Sequence, residues 1–277
     1  MERKKVTVPR IIAMKRKAKR IAMLSVYDYP TARLADEAGV DIILVGDTMG
    51  MVILGYETTL PVTMDEMLCH VKAVSRARPA ALVVADMPFM SFQVSQSEAL
   101  TNAGRMLKEG GADAVKIEGG VCRAPTAKAI GDAKIPVMGH VGLTPQAIRR
   151  FGGYRVQGKT GRGREAIIED ALALEEAGCF AVVLEGVPWK LAKEITEKLS
   201  IPTIGIGAGP HCDGQVLVCH DILGLYEGYV PRFVRKYADL NPTILKAIGE
   251  YVSDVRTGAF PSLDESYDDA EDAKKDR

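Results

Sequence analysis

The 277-residue chain is 47% hydrophobic and 26% charged, and its 36 basic and 36 acidic residues cancel to zero formal net charge. That balance offers no global field to attract nucleic acid or an anionic membrane, and no apolar run approaches the ~18 residues that a membrane-spanning helix needs. The five cysteines, Cys69, Cys122, Cys179, Cys212 and Cys219, are odd in number and form no C-x-x-C pair, which argues against a disulfide framework or a zinc site and points to a reducing, cytoplasmic compartment.

Charge is unevenly placed. Residues 1–19 form a basic segment in which Arg3, Lys4, Lys5, Arg10, Lys15, Arg16, Lys17 and Lys19 face Glu2 alone, and they read as a solvated tail or a subunit contact. From residue 20 onward short β-branched runs alternate with helical stretches. A strand is predicted over 20–26 (RIAMLSV), then a helix over 30–38, a strand over 40–45 (VDIILV) and a helix over 64–77. Further strands are predicted over 80–85 (AALVVA), 112–117 (ADAVKI), 135–138, 179–184 (CFAVVL), 202–206 and, more weakly, 215–219. Helices fall over 95–109, 124–133 and 243–255, the last expected to seal the fold. Continuous apolar strands between amphipathic helices imply a parallel sheet covered on both faces, and eight such units favour a single closed (β/α)8 barrel over residues 20–260. Glycines recur where each helix gives way to a strand, at Gly39, Gly110-Gly111 and Gly178. Residues 140–164 break the rhythm and read as a long loop lying over the site. The acidic stretch 261–277 reads as a disordered tail.

Barrel enzymes work at the C-terminal ends of their strands, so the residues ending each apolar run are the candidates. Asp47 and Thr48 follow the second strand and Asp86 the third. Lys116 and Glu118 end the fourth, His140 the fifth and Glu185 the sixth. A lone aspartate there is ordinarily a helix cap, but three carboxylates at matching depth repel one another unless a cation sits among them. Magnesium, which takes one or two carboxylates together with water and substrate oxygens, fits Asp47, Asp86 and Glu118, and it would polarise a chelating 2-oxo acid. Lys116 either neutralises these acids or binds a substrate carboxylate. His140 and Glu185 are each either structural or functional. The run Gly205–Gly209 lacks the Lys-Ser/Thr of a phosphate loop and reads as a tight turn. His70, His211 and His220 form no ligand pair.

Several stretches, in order, resemble the 3-methyl-2-oxobutanoate hydroxymethyltransferase (ketopantoate hydroxymethyltransferase) family. They are VGDTMGM at 45–51, LPVTMDEM at 60–67, ADMPFMSF at 85–92, AVKIEGG at 114–120, VMGHVGLT at 137–144, VLEGVP at 183–188 and IGIGAGPHCDGQVLVCHDILGL at 204–225. The resemblance implies a barrel of the phosphoenolpyruvate/pyruvate-binding type. It implies magnesium on Asp47, Asp86 and Glu118, and oxo-acid contacts from Asp47, Thr48, Asp86 and Lys116, with His140 near the substrate. Glu185 matches the proton acceptor. The implied reaction moves a hydroxymethyl group from 5,10-methylenetetrahydrofolate to 3-methyl-2-oxobutanoate through a magnesium-stabilised enolate, giving 2-dehydropantoate and tetrahydrofolate on the route to pantothenate and coenzyme A. A homo-oligomer is also implied, a decamer being the candidate size. Thr48 departs from the family pattern, which more often has serine there; the hydroxyl is kept and a methyl added.

Two other readings compete. A lyase of the isocitrate lyase and phosphoenolpyruvate mutase type also carries acids at its strand ends, but the Lys-Lys-Cys-Gly-His-like loop of that group is not found here. A non-catalytic barrel that senses a 2-oxo acid or coenzyme A would be expected to have lost a ligand or the base, and all five of Asp47, Asp86, Lys116, Glu118 and Glu185 are present.

Overall fold

In the computed structural model, which describes residues 3–225, 228 and 230–267, eight parallel strands close into a barrel in chain order. They are β1 (Ile21–Ser25), β2 (Ile42–Val45), β3 (Leu82–Asp86), β4 (Ala114–Glu118), β5 (Val137–Gly142), β6 (Ala181–Glu185), β7 (Thr203–Ile206) and β8 (Gly214–Val218). The helices are α1 (Val8–Arg16), α2 (Tyr29–Glu37), α3 (Met49–Val52), α4 (Met64–Arg76), α5 (Gln96–Lys108), α6 (Ala124–Asp132), α7 (Ile148–Phe151), α8 (Gly161–Glu176), α9 (Trp189–Lys198), α10 (Cys219–Leu223) and α11 (Leu240–Thr257). Closure comes from β8 pairing with β1, from Ile21↔Gly214 to Ser25↔Val218. The barrel expected from the sequence is the barrel found.

Local chemistry sets the element ends. Asp28 accepts from the Thr31 amide to start α2, Thr63 and Glu66 form a capping box on α4, and Ser95 caps α5. The turns from helix into strand pass through Gly39, Gly111 and Gly178, all at positive φ.

Alternation along the strands splits the core in two. Ile43, Val45, Val83, Ala85, Val115, Ile117, Val182 and Leu184 face outward onto the helices. Their neighbours Ile21, Met23, Ile42, Leu44, Leu82, Val84, Ala114, Met138, Ala181, Val183, Ile204 and Val216 fill the barrel interior.

The N-terminal segment is not the solvated tail its charge suggests. Val6 and Ile11 are fully buried in the interior cluster, and the Val6 amide donates to the Ala80 carbonyl. Three of the basic residues around them are tied down: Arg3 pairs with Asp36 at 3.1 Å, Lys5 with Asp113 at 2.7 Å and Lys15 with Asp213 at 2.9 Å. Ile11→Ala is therefore expected to cost about 2–5 kcal/mol, seen as a lower urea midpoint at unchanged slope. A midpoint equal to wild type would show the segment to be dispensable.

Two further expectations need correcting. β5 runs on to Gly142, so His140 lies within a strand rather than after it. Residues 140–164 are not one long loop: they hold the end of β5, a 3-10 turn at Pro145–Ala147, α7 and the start of α8. The last helix forms over Leu240–Thr257 and has no buried residue.

The described residues fall into two compact units. One is the barrel, up to Cys219 together with Pro231–Val234; the other takes in His220–Val230 and the residues from Arg235. The sequence predicts disorder over 261–277; within that stretch Leu263–Glu265 makes a 3-10 turn under a Ser262 cap, and residues 268–277 lie outside the described set. No helix among the described residues is long and apolar enough to cross a membrane.

Among the described residues the five cysteines form no disulfide, and Cys69 and Cys122 are exposed while the other three are buried. Burial pushes the Cys179 thiol up to about 12 and the Cys212 thiol up to about 11. A thiol reagent at mildly alkaline pH should titrate two groups quickly in the native protein and five after unfolding. A third fast thiol in the native state would contradict this burial.

Candidate active site

The interior parity continues past the apolar layers. Two residues beyond Met23, Val84, Met138 and Val183 come Ser25, Asp86, His140 and Glu185; Lys116 and Glu118 lie two and four residues beyond Ala114. The inward positions thus change from apolar to polar at the C-terminal end of the barrel, and register aligns the set, with Asp86 opposite Lys116 and Glu118 opposite His140. Gly46 takes the same place after β2. A β-carbon there would stand 3.0 Å from Ser25 Oγ and 3.3 Å from an Asp86 oxygen, so glycine leaves that space to its neighbours.

These side chains and Thr48 line one small cavity of about 50 Å³. Asp47, Asp86, Lys116, Glu118 and His140 are buried. Lys116 Nζ lies 2.7 Å from Asp86 Oδ1, and the Asp47 amide donates to Asp86 Oδ2 at 3.1 Å. His140 sits between two acids, Nδ1 at 3.5 Å from Glu118 Oε1 and Nε2 at 3.1 Å from Glu185 Oε2. The approaches at Asp86 Oδ1 and His140 Nε2 are ion-pair contacts, not aligned hydrogen bonds. Every site residue expected from the sequence is therefore brought to one place.

Crowding of like charges governs the electrostatics. Burial first, then Asp86 and Glu118, hold the Asp47 carboxyl well above its ordinary range. Burial also raises Asp86, against the opposing pull of Lys116. For Lys116, burial disfavours the charge, yet Asp86, Glu118 and Asp47 together outweigh it and hold the ammonium charged far above neutral pH. Burial and Lys116 push the His140 imidazole down, but Glu118 and Glu185 prevail and raise it to about 9. Lys116 Nζ also lies 3.3 Å from His140 Nδ1, where the tautomer of the imidazole sets the donor and acceptor roles.

Gln146 is the residue that strand-end reasoning missed. It is buried on the 3-10 turn after β5; its side-chain amide donates to Asp47 Oδ2 at 2.9 Å and to the Met87 carbonyl at 3.0 Å. Its backbone amide donates to Glu118 Oε2 at 3.0 Å, and Gln93 donates to its side-chain oxygen. One residue thereby orients two of the three carboxylates. Its position in an aperiodic stretch gave no signal. Ser25 was also passed over, although it lies one residue from the end of the first predicted strand; its hydroxyl donates to the Tyr27 hydroxyl at 3.0 Å.

The donor set suits a hard divalent cation. Three carboxylates are buried together, and Asp86 Oδ1 has no aligned hydrogen-bond donor. Among the described residues, however, no three Asp, Glu, His or Cys side chains converge as a complete ligand set. Asp47, Asp86 and Glu118 thus do not make a ready three-donor cage. They fit the magnesium habit of one or two carboxylates, with water and substrate oxygens completing the shell.

Fold and site together define a (β/α)8 barrel with acids and a lysine gathered at its strand ends. A sequence model of the ketopantoate hydroxymethyltransferase family matches residues 5–263, and the chain belongs to that family. A 3-methyl-2-oxobutanoate hydroxymethyltransferase of Trichlorobacter lovleyi is 63% identical, the match covering 96% of this chain and 99% of the relative. One of Moorella thermoacetica is 58% identical, with 96% and 99% covered. Among solved structures, a phosphonopyruvate hydrolase in complex with oxalate and Mg++ superposes with a TM-score of 0.61 at 14% identity, over 94% of this chain and 93% of the other. At that identity the likeness concerns the fold alone.

Proposed function

We propose that the protein transfers a hydroxymethyl group from 5,10-methylenetetrahydrofolate to 3-methyl-2-oxobutanoate, giving 2-dehydropantoate and tetrahydrofolate. The observation that carries the reading is a partly exposed carboxylate beside a buried ammonium: Glu185, its side chain 15% exposed, lines one cavity with Lys116 and Thr48. Lys116 and Thr48 bind and orient the oxo acid. Asp47, Asp86 and Glu118 would hold magnesium, which when bound would supply Lewis acidity toward the 2-oxo group.

Glu185 takes the C3 proton, and the electron pair left on C3 forms the new carbon–carbon bond to the donor's methylene carbon. His140 keeps the Glu185 carboxylate turned toward the substrate. Overall, the two carbon–nitrogen bonds of the methylene group give way to one bond to C3 and one to the oxygen of water. Of the C3 proton and the two water protons, two end on the folate nitrogens and one on the new hydroxyl. A cytoplasmic homo-oligomer is part of the same reading, the second element being supported by the exposed Leu245 and Ile248 of α11.

The test is formation of 2-dehydropantoate from the two substrates, with magnesium and with a chelator. Turnover that requires both substrates and magnesium supports the assignment. Folded protein with no turnover under any metal would reject it.

A further inference from the structure

The small cavity between Lys116 and Glu185 leaves no room for a pterin, whereas a second cavity of about 700 Å³ lies against its Glu118 wall. That volume falls within the usual range of ligand pockets. Gln146, which holds Asp47 and Glu118, also lines it, so an occupant would reach the carboxylate cluster directly.

Its walls combine three kinds of surface. Phe89, Phe151 and Val121 offer apolar faces; Arg123, Arg149 and Arg150 supply positive charge; Asp170 supplies one carboxylate. Among the described residues none of the three guanidinium groups is in an ion pair, and Asp170 is paired with none of them. Asp170 instead accepts the Val121 amide on Oδ1 at 2.8 Å, which leaves Oδ2 and the second lone pair of Oδ1 for other donors.

The Gly119-Gly120 pair shapes this arrangement. A β-carbon on Gly120 would lie 1.9 Å from Asp170 Oδ1, and one on Gly119, at φ +119, would lie 2.6 Å from Arg123 Cγ. Glycine at both positions is what lets the acid and the arginine close onto the end of β4.

We infer that this second cavity seats the one-carbon donor, a reduced pterin with an anionic tail. Its ring lies between the apolar walls, its amino-pyrimidine edge donates to Asp170, and its carboxylates meet Arg149 and Arg150. The chemistry matches group by group. An amino-pyrimidine presents adjacent N–H donors that a carboxylate accepts side by side, guanidinium groups take carboxylates in the same paired fashion, and aromatic side chains stack on the ring. The methylene carbon then arrives from the Glu118 side of the oxo acid. The inference rests on the proposed transfer reaction.

The experiment uses the full-length protein and 5-formyltetrahydrofolate, a folate unable to transfer its carbon here, titrated calorimetrically with magnesium and oxo acid present. Two variants are compared with wild type: Asp170→Asn, which keeps the Val121 contact, and the surface pair Arg149→Ala/Arg150→Ala. Exchange of the oxo-acid C3 proton into deuterated water, which needs no donor, is followed in parallel. Each variant should bind the analogue about tenfold or more weakly and show a raised KM for methylenetetrahydrofolate, with proton exchange and the oxo-acid KM unchanged. Unaltered analogue affinity in both variants, with exchange intact, would overturn the donor seat while leaving the reaction standing. Wild-type protein that binds the analogue but never exchanges the C3 proton would overturn the reaction instead.

Discussion

Glu185→Gln is expected to lower both C3-proton exchange and product formation by about 10²–10⁴-fold, the usual range for removing a positioned general base. The amide has the size and shape of the carboxylate but cannot accept the proton. Its oxygen can still face His140 Nε2, which lies 3.1 Å from Glu185 Oε2, so fold and oxo-acid affinity should be kept. Glu185 is the most open of the acids around the cavity, its side chain 15% exposed against 5% for Asp86 and for Glu118. That exposure is what a base meeting substrate requires. The decisive readout is exchange without any folate. Loss of exchange with oxo-acid binding retained assigns the base, whereas full exchange in the variant would move that role to another carboxylate and leave Glu185 a positioning residue.

The barrel was legible because its strands are buried on both faces and so appear as unbroken apolar runs such as IILV and LVVAD. Asp86, Lys116, Glu118, His140 and Glu185 were legible for a related reason. Each keeps the inward parity of its strand where the interior turns polar, a change visible in one dimension. The N-terminal plug was hidden because Val6 and Ile11 stand among lysines and arginines whose partners, Asp36, Asp113 and Asp213, are far away in the chain. Gln146 was hidden too: a 3-10 turn has no hydrophobic period, and its contacts with Asp47 and Glu118 span 99 and 28 residues. Local pattern reveals what one strand does by itself; it cannot reveal a residue whose role is to join two strands.

Lys116→Met should show how much of the site's order depends on one positive charge. Lys116 and Asp86 form an ion pair at 2.7 Å with each side chain 5% exposed, and Asp47 and Glu118 are close enough to feel the same ammonium. Removing one partner of such a pair typically costs about 3–5 kcal/mol, because the remaining charge is left buried without compensation. In the presence of chelator the variant should therefore unfold at a clearly lower urea concentration. The double variant Asp86→Asn/Lys116→Met, which removes charge and countercharge together, should recover much of the loss. Magnesium should stabilise Lys116→Met more than wild type, since it supplies the missing positive charge to the same acids. The oxo-acid KM should rise in Lys116→Met even with magnesium saturating, because the metal does not replace the lysine as the seat of the substrate carboxylate. If the single variant is as stable as wild type in chelator, the carboxylates do not depend on Lys116, and the ammonium belongs to substrate binding alone.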